Sequence, residues 1–330
     1  MASVQNLPLI WRDPDWNFQY SLKRKKSFGN RYYLKFYHED ELMKIIETLK
    51  ERMSFSFEVF PPKTDKGMDN LKAAMKHYYK FKPDFISCTY GSGGTNAGRN
   101  TEVCELLKKE GDTEVMTHYT CVGNTKENIK TDLRHYQSLG IENILAMRGD
   151  LPEGWEGTKG DFSHADGLIK YINTEFPDFC IAAACYPEKH ILAPSFSADI
   201  AHLRTKQDNG AEFLMSQLCH NVDTFVEFVD RIRKAGITIP VVIGIMPVLN
   251  KDAIIRMTLS NGCSIPAELS AIIGRYGDNP EDFKKAGIEY TVNQIFRFME
   301  AGIIGLHIYT LNKYKDVETI ITSSGIREGV

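Results

Sequence analysis

No apolar run in the 330 residues approaches the ~20 that a membrane-spanning helix needs, which excludes a helical membrane protein. The opening residues, Met1-Ala2-Ser3-Val4-Gln5-Asn6, lack a basic start followed by an apolar stretch, so no secretory signal is read there and the expected compartment is the cytoplasm. Cysteine is sparse and unpatterned. Seven residues, an odd number with no Cys-x-x-Cys pair, argue against a disulfide framework and against a zinc or iron–sulfur centre. Cys88, Cys121, Cys180 and Cys185 lie in apolar runs, as buried free thiols do. Charge of one sign is also lacking: 40 Lys and Arg against 43 Asp and Glu leave a net −3, with no global attraction to nucleic acid or anionic lipid.

Several motifs are missing too. No Gly-x-Gly-x-x-Gly follows a first strand, which removes the open dinucleotide-binding sheet, and the glycine-rich Gly91-Ser92-Gly93-Gly94 has no Walker lysine. There is no helical His-x-x-x-His pair or bunched carboxylates for a metal, no Ser or Cys nucleophile elbow, no solenoid repeat and no low-complexity tract.

What is present is a large α/β pattern. With 42% hydrophobic and 25% charged residues the chain has ample means to bury a core. From residue 54 onward short β-like runs alternate with amphipathic stretches; the runs fall at 54–59, 84–89, 114–121, 143–148, 179–185, 211–217, 240–246 and 304–309. Helical patterns such as Thr125 to Leu139, Val222 to Ala235 and Tyr290 to Ala301 lie between them, each followed by a stop glycine, Gly140, Gly236 or Gly302. About eight such units predict a (β/α)8 TIM barrel with an N-terminal extension. Residues 1–38 form the arm and 39–330 the barrel, led by a helix from Glu39 to Arg52. The arm carries Lys23-Arg24-Lys25-Lys26, Arg31-Tyr32-Tyr33 and Lys35-Phe36-Tyr37, which suits packing on its own domain through the aromatics, docking to an acidic partner or, least of all, nucleic-acid binding.

Glu58 ends the alternating run Phe55-Ser56-Phe57-Glu58-Val59-Phe60, just before Pro61-Pro62. A strand stopped by a double proline delivers its last side chains to the barrel mouth. Among Phe57, Val59 and Phe60 the carboxylate would lose hydration, which favours the protonated form and a general-acid role; a solvated strand-end Glu is the competing reading. Polar groups recur at the other strand ends: Thr89-Tyr90, His118 and Thr120, Arg148-Gly149-Asp150, Tyr186 with Glu188 and His190, Gln217, and Tyr309, Asn312 and Lys313. Acids, amides, an Arg and aromatics without a metal cluster suit a large organic cofactor and proton transfer. Arg148, Lys206 and the glycine-rich loop could hold phosphates and Tyr90 and Tyr186 could flank a flat ring, while Lys206 reads equally well as a solvated helix lysine.

In order along the chain, Ser56-Phe57-Glu58-Val59-Phe60-Pro61-Pro62-Lys63, Thr89-Tyr90-Gly91, His118-Tyr119-Thr120-Cys121, Met147-Arg148-Gly149-Asp150-Leu151-Pro152, Tyr186-Pro187-Glu188-Lys189-His190, Gln217, Gly244-Ile245-Met246-Pro247 and Tyr309-Thr310-Leu311-Asn312 resemble the methylenetetrahydrofolate reductase family. The resemblance runs from about Ser54 to Val330. It implies a barrel that holds FAD at its mouth and reduces 5,10-methylenetetrahydrofolate to 5-methyltetrahydrofolate by ping-pong hydride transfer through flavin N5, with NADH or NADPH as donor. Glu58 then matches the general acid that protonates a folate nitrogen, and Asp150 the aspartate near flavin and pterin. Thr89, Tyr90, His118, Met147, Arg148, Gly149, Asp150, His164, Tyr186, His190, Asp199, His202 and Lys206 fall at FAD positions. Gln217, Met257, Leu311 and Lys313 join Glu58 and Asp150 at folate positions.

Some positions depart from the family pattern. Ala253 and Met257 stand where relatives place Gln and Phe, Leu218-Cys219-His220-Asn221 replaces an aromatic stretch, His202 and Thr205 differ on the flavin side, and Lys313 replaces a bidentate arginine. With the basic arm, the changes at 253 and 257 leave open a subunit that takes electrons from a partner redox protein; a non-catalytic barrel is a more distant reading. The chain resembles the short, catalytic-only form, for which regulation by S-adenosylmethionine is not expected. Homo-oligomerisation stays open.

Overall fold

The computed structural model describes residues 44–90 and 97–327; the basic arm, residues 39–43 of the expected leading helix and the glycine-rich loop at 91–94 lie outside them. Eight parallel strands close into one barrel in sequence order. They are β1 (Ser54–Val59), β2 (Phe85–Cys88), β3 (Glu114–Thr120), β4 (Asn143–Met147), β5 (Cys180–Cys185), β6 (Phe213–Ser216), β7 (Val241–Ile245) and β8 (Gly305–Tyr309). Each matches an expected run, with ends moved by no more than two residues. The connecting helices are α2 (Asp65–Tyr79), α3 (Ala97–Glu110), α4 (Lys126–Ser138), α5 (Ala165–Glu175), α6 (Phe196–Asp208), α7 (Val222–Lys234) and α11 (Tyr314–Ser324), with α8 (Lys251–Ser260), α9 (Ala267–Tyr276) and α10 (Pro280–Glu300) together linking β7 to β8.

Strand alternation sorts the core into layers. Phe55, Phe57 and Val59 of β1 face outward and pack with Leu71, Met75 and Tyr78 of α2 and with Val317, Ile320 and Ile321 of α11. The inward face is filled separately: Phe85, Met116, Leu145, Ala182, Phe213, Met215 and Val242 meet Ile45, Ile46 and Leu49 of α1 (Ile45–Glu51), which closes the N-terminal end. Buried Asp84 holds that end together, accepting from Arg52 at 2.7 Å, Arg327 at 2.8 Å and the Phe55 N–H at 2.7 Å. A third cluster, with Leu218, Met246, Ile254, Leu269, Phe283 and Tyr290, lies under α8 to α10 and reaches Tyr309 and Leu311.

The expected helices form, and Gly140, Gly236 and Gly302 take φ of +70°, +78° and +77°. The stretch expected from Tyr290 begins ten residues earlier, at Pro280, where Asn279 caps two N–H groups and proline occupies the first turn. All seven cysteines are free and buried. No helix among the described residues is long and apolar enough to cross a membrane.

Candidate active site

Register fixes what surrounds Glu58. It lies opposite Ser87 on β2 and Tyr309 on β8, and its side chain turns inward. The expected apolar setting is therefore corrected: Phe57 and Val59 point to the helix layer because side chains alternate, and Phe60 is exposed. The carboxylate instead meets imidazoles. Glu58 Oε2 is 3.7 Å from His118 Nε2 and 3.9 Å from His307 Nε2, with about a quarter of its side chain (24%) open to solvent. Burial pushes His118 down to about 4, against the opposing pull of Glu58, so the imidazole is neutral at neutral pH.

The backbone beneath this carboxylate is fixed from β8. Glu58 O accepts from both the N–H and the hydroxyl of Thr310, at 3.1 and 2.7 Å. Tyr309 donates its hydroxyl to Ser216 O at 2.8 Å, and burial, then Glu58, raise the phenol well above its ordinary value. Gly244 makes that seat, since a Cβ there would collide with the Tyr309 hydroxyl.

The remaining strand ends bring most of the expected residues to the same mouth. Thr89 directly follows β2, where Asn100 Nδ2 donates to Cys88 O at 3.1 Å and to Thr89 O at 3.0 Å. Tyr90 is a correction to its expected ring-flanking role: its ring is buried in the outer core against Tyr119, 5.0 Å between centroids. Arg148 and Met147 are partly buried and Asp150 is exposed. Gly149 takes φ +86°, and a Cβ would lie 2.9 Å from Thr120 Cβ. His164 and His202 are exposed at the N-cap of α5 and on α6.

After β5 the chain is tightly organised. Tyr186 packs edge-on against His190 at 4.5 Å, and Asp199 on α6 accepts the His190 N–H at 2.9 Å. Burial lifts the Tyr186 phenol to about 12 and lowers His190. Lys206 is not a freely solvated lysine. It donates to Ala184 O at 2.8 Å, and burial lowers its ordinary value.

Opposite stands the wall built by α8. Gln217 accepts the Leu218 N–H at 2.8 Å and donates to Asn261 Oδ1 at 2.9 Å, while Asn261 donates to Met257 O at 2.8 Å. One N–H and one oxygen lone pair of the Gln217 amide stay available for a ligand. Ala253 and Met257 are one turn apart on α8, with Met257 exposed. Leu311 and Asn312 take φ of +50° and +54°, and Lys313 is exposed as it starts α11.

Two buried groups at the mouth, His118 Nε2 and Thr120 Oγ1, have no hydrogen-bond partner within the protein. Among the described residues, the exposed large apolar side chains, Phe60, Leu151, Ile191, Leu192, Phe196, Met257 and Leu259, lie on segments that follow strand ends. Waiting polar atoms within an apolar rim fit a large organic ligand with flat rings. Among the described residues no group of three or more His, Cys, Asp or Glu could hold a metal ion. A groove of ≈ 420 Å³ between α7 and α10, lined by Val222, Val226 and Arg297 among others, lies on the barrel flank and gathers no comparable set.

The sequence matches the family model for methylenetetrahydrofolate reductase over residues 41–325. The chain belongs to the methylenetetrahydrofolate reductase family. It is 37% identical over 304 residues to a probable methylenetetrahydrofolate reductase (NADH) of Oryza sativa subsp. japonica, covering 87% of this chain and 51% of that protein. Methylenetetrahydrofolate reductase 1 of Schizosaccharomyces pombe is 34% identical over 84% of this chain and 47% of its own length, so the chain spans about half of these longer relatives. A bacterial 5,10-methylenetetrahydrofolate reductase from Pectobacterium carotovorum is 30% identical over 90% of this chain and 99% of its own length. An uncharacterized Clostridium thermocellum protein described as binding two copies of 5-methyl-5,6,7,8-tetrahydrofolic acid has the same fold, with a TM-score of 0.59 at 14% identity over 84% of this chain and 96% of that one.

Sequence reasoning passed over three residues and gave a fourth no structural role. His307, Asn100 and Asn261 act through long-range side-chain hydrogen bonds, and Asn312, noted only as a polar strand end, clamps Phe60 from 252 positions away. Only His307 gave a local signal, as a polar residue on the inward phase of β8.

Proposed function

We propose that this protein is an enzyme that reduces 5,10-methylenetetrahydrofolate to 5-methyltetrahydrofolate in the cytoplasm, using FAD and taking electrons from NADH. The observation that carries this reading is Glu58, a partly shielded carboxyl at the barrel mouth facing a neutral His118, in a chain of this family. The donor follows the names of the plant relatives, which specify NADH.

FAD would be held by the rim: Thr89, the Tyr90 backbone, His118, Met147, Arg148, Gly149, Asp150, His164, Tyr186, His190, Asp199, His202 and Lys206. The unpartnered His118 Nε2 and Thr120 Oγ1, and the close backbone at Gly149, support the fit. When bound, FAD supplies a two-electron hydride carrier between donor and folate in separate half-reactions. Lys206 would bring charge to a phosphate, although its present bond to Ala184 O must then be shared. Asp150 would place a negative charge near the pterin, favouring a cationic folate.

On the folate side Gln217 offers its remaining amide groups to the pterin edge, Met257 and Leu311 contribute apolar contact, and Lys313 stands ready for the glutamate carboxylate. Glu58 donates a proton to the bridging folate nitrogen, so that the carbon it releases can accept hydride. Glu58 serves only this half of the reaction.

Anaerobic mixing of the purified protein with NADH, NADPH and then methylenetetrahydrofolate tests the reading. The expected result is a yellow protein bleached faster by NADH than by NADPH, followed by stoichiometric 5-methyltetrahydrofolate. A protein that takes up no FAD, or forms no methyl product, contradicts it. Bleaching by neither nucleotide, with folate chemistry intact, would assign electron supply to a partner redox protein.

A further inference from the structure

Beneath Glu58 lies an imidazole that the reaction above does not use. His307 is wholly buried, stacks on Phe85 at 5.5 Å and meets Tyr309 edge-on at 5.7 Å. Its Nδ1 is 2.7 Å from Ser56 Oγ and its Nε2 is 3.2 Å from Ser87 Oγ. The same Nε2 faces Glu58 Oε2 at 3.9 Å. Strand register imposes the meeting: Ser56 lies opposite His307, and Glu58, two residues on, lies opposite Ser87 and Tyr309.

The serines decide where the ring proton sits. Ser56 has one hydroxyl hydrogen, and Leu306 O lies 3.3 Å away as an acceptor that can only receive it. In the tautomer in which Ser56 gives its hydrogen to Leu306 O, Ser56 Oγ accepts from Nδ1–H and the lone pair is left on Nε2; this is the tautomer the proposal below assigns. Ser87 donates to that lone pair from one side, and Glu58 Oε2 faces it from another. A lone pair repels an anionic oxygen and attracts a carboxyl O–H.

We propose that His307 is a positioning residue for the folate half-reaction, which keeps the proton on Glu58 by turning a lone pair, fixed by Ser56, toward Oε2. The inference rests on the function proposed above. The other titratable groups facing the pair are His118 from β3 and Tyr309 from β8; Cys88 on β2 turns outward to the helix layer, and β7 presents Gly244. Burial holds His118 neutral and Tyr309 protonated, so neither brings a competing charge near neutral pH.

The test compares kcat/KM for methylenetetrahydrofolate with kcat/KM for NADH across pH, since the two report separate half-reactions. His307→Phe keeps a ring on Phe85 but removes the lone pair. The falling, high-pH limb of its folate profile is expected to move about one pH unit lower, a tenfold loss above that limb, with the NADH profile in place. Ser56→Ala leaves the ring but frees its tautomer, and should move the same limb the same way by less; it also serves if His307→Phe fails to fold. His307→Gln, whose amide oxygen supplies a lone pair, should restore the wild-type limb. Folate profiles that stay put in both His307→Phe and Ser56→Ala, or equal losses for both substrates, overturn the proposal. Wild-type protein that turns over no folate at any pH overturns the function itself, and the two failures are thus distinguishable.

Discussion

The side-chain amide of Asn312 grips the backbone of Phe60 at both ends, Nδ2 donating to its carbonyl at 2.9 Å and Oδ1 accepting its N–H at 3.3 Å. The pair extends the β1–β8 ladder past the last strand residues and closes the seam on which Glu58 sits. Asn312 also holds φ +54°, a left-handed conformation that asparagine tolerates and alanine does not favour.

Two substitutions separate these contributions. Asn312→Gly keeps the conformation and loses the clamp, and is expected to cost about 1–2 kcal/mol in urea unfolding. Asn312→Ala should cost about 1 kcal/mol more. Equal stabilities for the two variants would show that the left-handed backbone carries no strain of its own.

Stability should also depend on pH through two buried histidines. Burial pushes His118 and His220 from an ordinary value of 6.5 down to about 4, so between those values the unfolded chain binds protons that the folded chain refuses. Unfolding free energy is therefore full above about pH 6.5 and falls as pH drops toward about 4, by on the order of 3 kcal/mol for each group. His220, bonded through Nε2 to Thr258 at 3.1 Å, can be tested away from the mouth. Replacing it with Asn should flatten the difference between pH 7 and pH 5 in denaturant titrations; an unchanged slope would contradict the assignment.

How much of this was legible in the sequence follows from the range of the interactions. The barrel is written in local alternation, and Gly140, Gly236 and Gly302 stop their helices as their positive φ requires. Glu58, Gln217 and Lys206 were visible because motif order placed them at strand ends or on the helix beyond. Tyr90 was misread because a strand-end aromatic has two faces to choose from, and Tyr119 with Asn124 offers it a buried one. The start of α10 was missed although Asn279-Pro280 signals it, because the apolar spacing is clearer further on. The Asn261–Gln217 pair, separated by 44 positions, exists only once α8 has folded over β6.

That pair gives a further prediction. Asn261→Ala releases the Gln217 amide, which should raise KM for methylenetetrahydrofolate several-fold, or about 1 kcal/mol, and leave kcat/KM for NADH as it was. A change confined to the NADH side would move Gln217 out of the folate site.

The central claim is that Glu58 is the proton donor of the folate half-reaction alone. Its most direct measurement is Glu58→Gln assayed in two ways under anaerobic conditions: NADH oxidation with an artificial electron acceptor, and 5-methyltetrahydrofolate formation. The account predicts that the first persists while the second falls by about 10²–10⁴-fold. Methyl product formed at the wild-type rate, or both activities lost together, would contradict it.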